Sequence, residues 1–473
     1  MPEPHVIILG AGPAGVGAAC QLTRQKRASV TVVEQQPVVG GNAGSFELNG
    51  HRLDYGSHRL HPACEPVIMD DIRKLLNGDL LDRPRHGRIR LRGRWIHFPL
   101  KPVDLLLRLD PGFAASTLMD ATLKPLRATS GLETFASILR ASLGPTICRD
   151  FYFPYARKIW GHEPEALSPI QARRRVSASS FGKLFRKVLG QVPGFRPPGS
   201  GRFYYPRQGY GQISEAYAEA ARAAGAELRL GSRVTGLAPP SLPDDRWTVE
   251  AEEGGAPVVI RGDYVWSTIP ITVLARCMKG GLTEPVRRAA DAIHYRAMLL
   301  IYLELPVERF TEFDAHYFPG ADTAMTRMSE PKNYAARSEP RGRTVLCAEL
   351  PCSVDDENWR RSDDELGRII ASDLAAAGIP LPASPITVRT RRLRQAYPIY
   401  LIGYEGPFAT LDAWAEGLPR LLTYGRQGLF AHDNTHHALA MAYAAAGCLT
   451  RDGFDRRRWA EHREVFKTHV VED

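Results

Sequence analysis

The first forty residues predict a strand, a tight turn, a helix and a second strand. Residues 6–9 and 30–33 are short β-branched apolar runs, which are typical of strands buried inside a sheet. Between them, residues 16–23 carry apolar side chains at helical spacing, and the glycines of residues 10–15 separate this helix from the first strand. A strand followed by a glycine turn and a helix predicts the opening unit of an α/β fold.

The rest of the chain continues to mix helical and strand patterns. Apolar spacing predicts helices at residues 105–118, 132–143, 212–224 and 436–448. β-Compatible runs predict strands at residues 227–230, 247–251, 258–261, 264–268, 297–305, 343–350 and 386–393. The proline- and glycine-rich residues 192–201 predict a linker or loop.

Composition is that of a large globular protein and excludes several other classes. The 473 residues are 44% hydrophobic and 24% charged, which excludes disorder, collagen and coiled coil and predicts two or three domains. The seven cysteines are scattered without a C-x-x-C pair, so neither a disulfide framework nor a zinc site is indicated. A reducing cytoplasm is the expected location.

The net charge of +9 is a modest excess of 61 basic over 52 acidic residues. Basic residues cluster at 83–108, 173–175, 391–394 and 456–458, but no aromatic side chains interleave with them as in a nucleic-acid-binding surface. We therefore predict no nucleic-acid partner and interpret the charge as general composition or as a means of attracting an anionic small substrate. No apolar run is long enough to span a bilayer, which leaves peripheral membrane contact open.

The glycine turn has the spacing of a dinucleotide-binding site. Gly10 permits the tight turn, Gly12 leaves room for a pyrophosphate and Gly15 allows the helix to pack closely on the strand. Glu34 ends the second strand 19 residues after Gly15, where a carboxylate can bond ribose hydroxyls. The predicted contacts of this unit with the cofactor are Gly10, Gly12, Pro13, Ala14, Gly15, Glu34 and Gln35.

The segment after Glu34 resembles flavoproteins in which a glycine pair follows the ribose-binding acid. Here that pair is Gly40-Gly41. The resemblance extends to amine oxidases, protoporphyrinogen oxidase and UDP-galactopyranose mutase, and it implies FAD, with NAD as the alternative. It also implies that Gly41, Asn42 and Ala43 contact the cofactor.

Further motifs resemble UDP-galactopyranose mutase and the related protoporphyrinogen oxidase-like oxidoreductases. They are the segment 54–61 with Tyr55, His58 and His61, the segment 153–161, and the pairs Tyr295-Arg296, Tyr397-Pro398 and Gly425-Arg426. The resemblance implies that His58, Gly425 and Arg426 lie beside the flavin. It also implies that Arg296 contacts an anionic group of the substrate.

These patterns together predict an α/β fold with two interleaved domains. A Rossmann-like FAD/NAD(P)-binding domain is expected from residues 1–80, 200–282 and 395–473. An inserted substrate domain is expected from residues 81–199, mainly helical, and residues 283–394, a mixed β-sheet. We also expect Val234, in the strand region that follows the helix at 212–224, to contact the cofactor.

Candidate site residues follow from this resemblance together with the chemistry of their side chains. His58, His61, Tyr397 and Arg426 are the catalytic candidates, since histidine exchanges protons near neutral pH. A helix opening at Asn434, Thr435 and His436 is expected to direct its N–H groups at the flavin, although Asn434 is also an ordinary N-cap. The substrate-binding candidates are Arg296, Arg207, Tyr155 and Tyr205.

No metal site is predicted, although His432, His436 and His437 lie near Asp433. Adjacent histidines on one helical turn point in different directions, which argues against a shared ion.

The expected activity is that of an FAD-dependent oxidoreductase acting on a small molecule, either anionic or sugar-linked. A redox-neutral, mutase-like reaction on a nucleotide sugar and a non-catalytic flavin-binding scaffold are the alternatives. Pro62 stands where the mutase has threonine, and residues 430–437 lack its tyrosine- and acid-rich pattern. Residues 327–334 are closer to the oxidoreductase relatives, so we favour oxidation. The electron acceptor and the oligomeric state are left open.

Overall fold

A five-stranded parallel sheet forms the centre of the first domain in the computed structural model, which describes residues 3–98, 108–123, 131–175, 201–336 and 338–471. In spatial order its strands are Leu421–Thr423, Tyr264–Ser267, His5–Leu9, Ser29–Glu34 and Glu227–Leu230. All five lie in the three segments predicted for the dinucleotide-binding domain. The predicted α/β fold with a Rossmann-like sheet is confirmed.

Three helices cover one face of this parallel sheet, and a small antiparallel sheet covers the other. The helices are Pro13–Arg24, Gln212–Ala223 and Thr435–Cys448. The antiparallel sheet consists of Ser232–Ala238, Trp247–Glu253 and Ala256–Gly262. Its Trp247 and Val249 are completely buried against Ile7 and Leu9 of the central strand. The parallel strands are therefore enclosed on both sides, which explains their continuous apolar runs.

A seven-stranded mixed sheet forms the second domain. In spatial order its strands are Thr387–Pro398, Tyr295–Leu305, Thr344–Cys352, Arg327–Ser329, Ala315–Tyr317, Gly87–Leu91 and Arg94–Phe98. Every pairing is antiparallel except that of Ala315–Tyr317 with Gly87–Leu91. We call Thr387–Pro398 the edge strand, because it is the terminal strand of this order beside Tyr295–Leu305.

The mixed sheet is packed on both faces, so its strand Tyr295–Leu305 is apolar almost throughout. Leu299, Ile301 and Leu303 face the helix Asp363–Ala376. The alternate residues, including Leu300 and Tyr302, pack against Leu53 and Tyr55 of the first domain. The period-two alternation of a strand thus directs one set of side chains to the helix and the other to the first domain.

The remaining elements connect and flank these sheets. Paired short strands are Ser45–Leu48 with His51–Asp54, Leu80–Pro84 with Arg202–Pro206, and Leu449–Thr450 with Gly453–Phe454. The other helices and helical turns are Gly41–Ala43, Pro66–Leu75, Pro111–Thr122, Phe135–Leu143, Pro145–Ile147, Cys148–Tyr152, Phe153–Trp160, Pro164–Ala166, Pro169–Arg175, Ile271–Arg276, Glu284–Ala292, Pro331–Ala335, Glu357–Arg360, Glu405–Gly417, Gly425–Gly428 and Arg456–Phe466. None of the helices within the described ranges has the length and apolar character needed to cross a bilayer.

Differences from the predicted elements lie mainly at their ends. The helix expected at 105–118 begins at Pro111, and residues 105–107 lie outside the described residues. The helix expected at 132–143 begins at Phe135, because Thr134 accepts a hydrogen bond from the N–H of Ser137 and caps it. The strand expected at 386–393 continues to Pro398. Residues 192–200 of the expected loop also lie outside the described residues.

Lys158 fastens the helix Phe153–Trp160 to the mixed sheet. Its Nζ atom donates to the carbonyl oxygens of Phe318 (2.7 Å) and Gly320 (2.9 Å) and to Oγ1 of Thr323 (3.0 Å). Burial lowers the pKa of Lys158 to about 8. The folded protein therefore binds a proton here less tightly than the unfolded chain does.

This lowered pKa predicts a specific pH dependence of stability. Between pH 8 and about 10.4, the ordinary lysine pKa, Lys158 is neutral in the folded protein and charged in the unfolded chain. Its protonation therefore opposes folding, and the free energy of unfolding, measured relative to Lys158→Met, should rise with pH across this window by on the order of 2 kcal/mol. Urea titrations of both proteins from pH 7 to 10 measure this difference, and a flat difference would contradict the burial of a titrating amine.

Candidate functional site

A cavity of about 1770 Å³ lies between the parallel sheet and the mixed sheet. This volume exceeds the 300–1,000 Å³ typical of small-ligand pockets, so it has room for a dinucleotide and a further molecule. Predicted cofactor residues that line it are Gly10, Gly12, Pro13, Ala14, Glu34, Gln35, Gly41, Asn42, Ala43, His58, Val234, Arg426, Asn434 and Thr435. The predicted catalytic or substrate residues His61, Tyr155 and Tyr397 also line it.

The glycine turn leaves space that no protein atom fills. A Cβ atom added to Gly12 would have Gly41 Cα, 4.0 Å away, as its nearest described neighbour. Gly12 has an ordinary extended backbone, and its helix begins at Pro13 without a side-chain cap. Neither packing nor backbone conformation therefore requires glycine here. An uncapped helix N-terminus beside open space is suited to a phosphate group, so the turn fits a dinucleotide.

Glu34 is held rigidly at the edge of this space. The N–H groups of Ala11 and Gln36 each donate to one of its carboxylate oxygens at 2.8 Å. Burial raises the pKa of the Glu34 carboxyl, and these backbone hydrogen bonds oppose that rise. The carboxylate lines the cavity and keeps further lone pairs for ribose hydroxyls.

Three predicted cofactor residues do not line the cavity but lie in the elements that form its wall. A Cβ atom at Gly15 would lie 1.9 Å from the carbonyl oxygen of Gly10, so glycine is required for packing. Gly425 has a positive φ of 77°, and its Cβ would lie 2.8 Å from that of Ala14. His436 is buried in the helix Thr435–Cys448, and burial lowers its pKa to about 3.

His58 is engaged with the backbone. Its Nε2 atom lies 2.8 Å from the carbonyl oxygen of Asn42 and 2.9 Å from that of Tyr55. Both partners are acceptors, so this nitrogen carries the hydrogen. Burial lowers the pKa of His58, which favours the neutral ring. Its ring also stacks on Tyr210, with 5.3 Å between centroids. These contacts indicate that His58 holds its loop against the cavity. His58 is therefore less suited to donate a proton to a bound substrate than the sequence suggested.

Arg426 joins the carboxy-terminal segment to the edge strand. Its guanidinium donates to the carbonyl oxygens of Asp433 (3.0 Å) and Ala396 (2.9 Å). It also lies over the ring of Tyr397, with Cζ 5.3 Å from the centroid. The helix N-terminus at Asn434 and Thr435 is thereby held at the cavity wall.

Asp433, His437 and His469 form a cluster that was missed in the sequence. Oδ1 of the buried Asp433 lies 3.4 Å from Nδ1 of His437 and 3.2 Å from Nδ1 of His469. Burial alone would raise the pKa of the Asp433 carboxyl, but the two histidines outweigh it and hold that pKa below its usual range. His469 comes from the distant carboxy terminus, so the argument from adjacent histidines could not include it.

The ring geometry of this cluster is unsuited to a metal ion. The rings of His437 and His469 stack in nearly parallel planes, 4.2 Å apart and 14° from parallel, so their Nδ1 lone pairs do not converge. The N–H of Asn434 also donates to Nδ1 of His437 at 3.2 Å, which occupies the lone pair that a metal would need.

A buried ion pair that sequence reasoning missed lies in the cavity wall. Arg327 and Glu349 are opposite each other on neighbouring strands of the mixed sheet. Two hydrogen bonds of 3.0 and 2.7 Å join the guanidinium to the carboxylate. The N–H of Ser57, beside His58, donates to the same carboxylate at 2.9 Å. The pair thus connects the second domain to the loop of His58.

Aromatic side chains form the part of the cavity away from the glycine turn. Phe151 and Tyr155 lie 5.8 Å apart between ring centroids, and Trp160 meets Tyr397 edge-on at 5.8 Å. Tyr317 lines the same region. Such a wall is suited to an apolar or flat group.

Three predicted substrate residues do not line the cavity among the described residues. Arg296 donates to Oγ of Ser353 at 2.6 Å, and its Nη1 atom lies 3.9 Å from Asp356. Arg207 is half exposed in an ion pair with Asp79 at 3.0 Å. Tyr205 is 1% exposed and donates to Asp54 in the core. Each side chain therefore has a polar partner outside the cavity lining.

The model of the flavin containing amine oxidoreductase family matches residues 13–446. This chain belongs to that family. It is a flavoenzyme, and the predicted resemblance and the prediction of an enzyme are confirmed.

Two curated relatives share parts of their sequence with this family member. A phytoene dehydrogenase from Streptomyces griseus is 28% identical over 274 residues, which are 50% of this chain and 49% of that protein. A phytoene desaturase from Phycomyces blakesleeanus is 46% identical over 55 residues, 12% of this chain and 9% of that protein. The chain spans about half the length of the first relative and a small part of the second.

Solved structures of the family fold align along nearly the whole chain. Reduced UDP-galactopyranose mutase has a TM-score of 0.81 at 20% identity, covering 99% of this chain and 100% of that one. Cyclohexylamine oxidase from Brevibacterium oxydans has a TM-score of 0.65 at 17% identity, covering 95% and 99%. Putrescine oxidase has a TM-score of 0.63 at 15% identity, covering 94% and 98%. Identities this low show the shared fold alone.

Substitutions at two glycines of the turn should separate cofactor binding from folding. Gly12→Val fills open space, so we expect a folded protein with at least roughly tenfold less bound flavin. Gly15→Val collides with the Gly10 carbonyl and should lower the melting temperature of the apoprotein itself. Absorbance at 450 nm reports flavin content, and circular dichroism reports folding. A fully yellow Gly12→Val protein would contradict the placement of the cofactor.

The ion pair in the wall can be tested by breaking it on one side. Arg327→Met leaves the buried Glu349 carboxylate without its cation, which should lower the free energy of unfolding by about 3 kcal/mol. The double variant Arg327→Met/Glu349→Gln removes both charges and should recover part of that loss. Urea denaturation of the flavin-saturated proteins measures these values. A single variant as stable as the wild type would show that the pair contributes nothing to stability.

Proposed function

We propose that this flavoenzyme uses FAD to oxidise a C–H or N–H bond of a small organic substrate. The observation that carries the proposal is the continuity of the cavity, which runs from the glycine turn at Gly12 to the aromatic wall at Tyr155, Trp160 and Tyr397. One end fits a dinucleotide and the other end leaves room for a second molecule. When bound, FAD would accept a hydride or electrons from the substrate.

The identity of the cofactor is supported at the glycine turn. Unfilled space at Gly12 fits a pyrophosphate, and the Glu34 carboxylate is aligned for a ribose. FMN contains neither a pyrophosphate nor an adenosine ribose, so it would leave both features unused. This combination supports FAD over FMN as the flavin of this family member.

The chain's own residues position the reacting groups. His58 and Arg426 bind backbone carbonyls from the loops and the edge strand, so both act by holding the cavity walls in register. The helix N-terminus at Asn434 and Thr435 presents a partial positive charge to the cavity. Such a charge would stabilise negative charge on a reduced flavin. Tyr397 and Tyr155 bound the space for the substrate.

The mutase-like reaction on a nucleotide sugar is less well supported. The likeness to UDP-galactopyranose mutase is high in fold, with a TM-score of 0.81. However, Arg296, on which the expected diphosphate contact depends, is bonded to Ser353 and lies outside the cavity lining. Because the family is one of oxidoreductases, a non-catalytic scaffold has no support either.

Anaerobic reduction of the flavin tests the proposed reaction. Substrate candidates such as amines, unsaturated lipids and anionic metabolites are mixed with the holoenzyme, and loss of absorbance at 450 nm identifies a reductant. Turnover by nucleotide sugars only after dithionite reduction, without net electron transfer, would instead establish the mutase reaction.

Arg426→Ala should slow substrate-dependent flavin reduction by roughly tenfold or more, a barrier increase of ~1.4 kcal/mol, because two hydrogen bonds across the cavity wall are lost. Arg276→Ala is the matched control, since Arg276 pairs with Asp291 at the surface. Stopped-flow absorbance measures both variants. Equal rates for Arg426→Ala and the wild type would remove Arg426 from the site.

A further inference from the structure

We infer that arginines of the edge strand, with Arg389 and Arg391 at the centre, bind an oxyanion group of the substrate. We call Arg389, Arg391, Arg392 and Arg394 the arginine row. All four line the cavity. This inference rests on the proposed function and narrows its substrate to a molecule that carries a phosphate, diphosphate or carboxylate group.

The cavity lining has an excess of positive charge. Nine arginines and three carboxylates line it, and no lysine does so among the described residues. Three of the arginines, Arg59, Arg233 and Arg392, also lie within 4.0 Å of the acids Asp314, Glu252 and Asp363 outside the lining. The arginines are Arg59, Arg85, Arg233, Arg327, Arg389, Arg391, Arg392, Arg394 and Arg426. The pyrophosphate of FAD carries about two negative charges and would leave an excess that attracts anions.

The three carboxylates do not neutralise the arginine row. Glu34 is bonded to backbone N–H groups in the parallel-sheet domain. Glu349 forms its ion pair with Arg327, and Asp433 is flanked by His437 and His469.

The guanidinium groups of the row contact aromatic rings and backbone oxygens, and in the described ranges only Arg392 has a carboxylate nearby. Cζ of Arg391 lies 3.6 Å from the ring centroid of Tyr55, and Cζ of Arg394 lies 5.6 Å from that of Trp359. Arg392 bonds the carbonyl oxygen of Trp359 at 3.0 Å and lies 4.0 Å from Asp363. Within the described part of the chain, no carboxylate is at ion-pair distance from Arg389, Arg391 or Arg394. Stacking on aromatic rings leaves the guanidinium edges open to an anion.

The spacing of the row suits a group with several oxygens. Residues two apart on a strand are separated by about 6.6–6.8 Å, and each guanidinium presents a planar fork that matches carboxylate and phosphate oxygens. Arg389 and Arg391 lie opposite Tyr302 and Leu300, on the face of the strand toward the first domain, so they can bind different oxygens of one multiply charged group. Arg392 lies opposite Leu299 on the other face, and it and Arg394 contact Trp359.

The site is separate from those expected for other anions. The row belongs to the edge strand of the mixed sheet, whereas the glycine turn belongs to the parallel sheet. Arg296 lies on the neighbouring strand and is bonded to Ser353. A substrate that is purely hydrocarbon would leave the row unpaired.

The alternative to anion binding is a purely structural role for the arginine row, because charged residues on an edge strand prevent association between sheets. Direct anion binding distinguishes the two roles, because protection of an edge requires charge but no defined ligand.

The test is a titration of the FAD-saturated holoenzyme with inorganic pyrophosphate, with inorganic phosphate and with succinate, at constant ionic strength set by chloride. Isothermal calorimetry measures affinity, and the flavin spectrum verifies that FAD stays bound. We expect saturable binding of at least one of these anions. Pyrophosphate or phosphate binding would assign the substrate group to the phosphate class, and succinate binding would assign it to the carboxylate class.

The variants locate the site. Arg389→Gln/Arg391→Gln should weaken this binding by at least roughly tenfold, and Arg389→Gln/Arg394→Gln tests the row while keeping the stacking of Arg391 on Tyr55. The matched control Arg287→Gln/Arg288→Gln removes two exposed arginines of the helix Glu284–Ala292, outside the cavity lining, and should change affinity less than twofold. Absence of saturable binding, or equal affinity in the row variants and the wild type, would overturn the inference.

Anion binding is measured without turnover, so the anion site and the oxidoreductase reaction can be contradicted separately. A holoenzyme that binds anions at the row but is never reduced by a substrate would contradict the oxidoreductase reaction alone. A holoenzyme that is reduced by an uncharged substrate, with kinetics unchanged in the row variants, would contradict the anion site alone.

Discussion

The close approach of the helix Pro13–Arg24 to the turn before it is the constraint on which the rest of the structure depends. Without a side chain at Gly15, the helix N-terminus reaches the carbonyl of Gly10, and Gly12 is left facing open space. The helix can then pack against Thr435–Cys448 through Gly17, where a Cβ would lie 2.9 Å from Leu439. Both helix N-termini consequently border the same cavity. A larger side chain at Gly15 would separate these elements, and the cofactor end of the cavity would lose its shape.

Buried charged groups with close partners complete the site on both sides of the cavity. Arg327 and Glu349 form a buried pair whose carboxylate also holds the backbone of Ser57, and Asp433 is flanked by two histidines. A buried charge is tolerated only when its partner is close and well oriented. These groups therefore maintain the geometry of the wall. The arginine row differs from them, since among the described residues only Arg392 has a carboxylate, that of Asp363, within 4.0 Å. This contrast makes the row the part of the wall suited to an incoming anion.

Predictions from sequence agree with the structure where a residue's role depends on residues close to it along the chain. The run from Gly10 to Glu34 encodes strand, turn, helix and acid in consecutive order, so its contacts with the cavity were foreseeable. Arg391–Arg394 was visible as a cluster of charge, but its meaning depended on which side chains face it. Arg296 and Arg207 were predicted to bind substrate from their motif and their charge. In the structure, Arg296 is hydrogen-bonded to Ser353 and Arg207 is ion-paired with Asp79. His469 and Glu349 had no local signal at all.

The amino-acid sequence by itself determined the class of fold, the dinucleotide turn and the resemblance to a flavoprotein family, because these depend on periodicity and on glycines at fixed spacing. Tertiary structure decided which arginines face the cavity, which histidines are committed to backbone carbonyls and which carboxylates are already paired. The physical reason is that pairing and burial arise from contacts between residues far apart in the chain, such as Ser57 with Glu349 and Asp433 with His469. Local pattern contains no information about such distances.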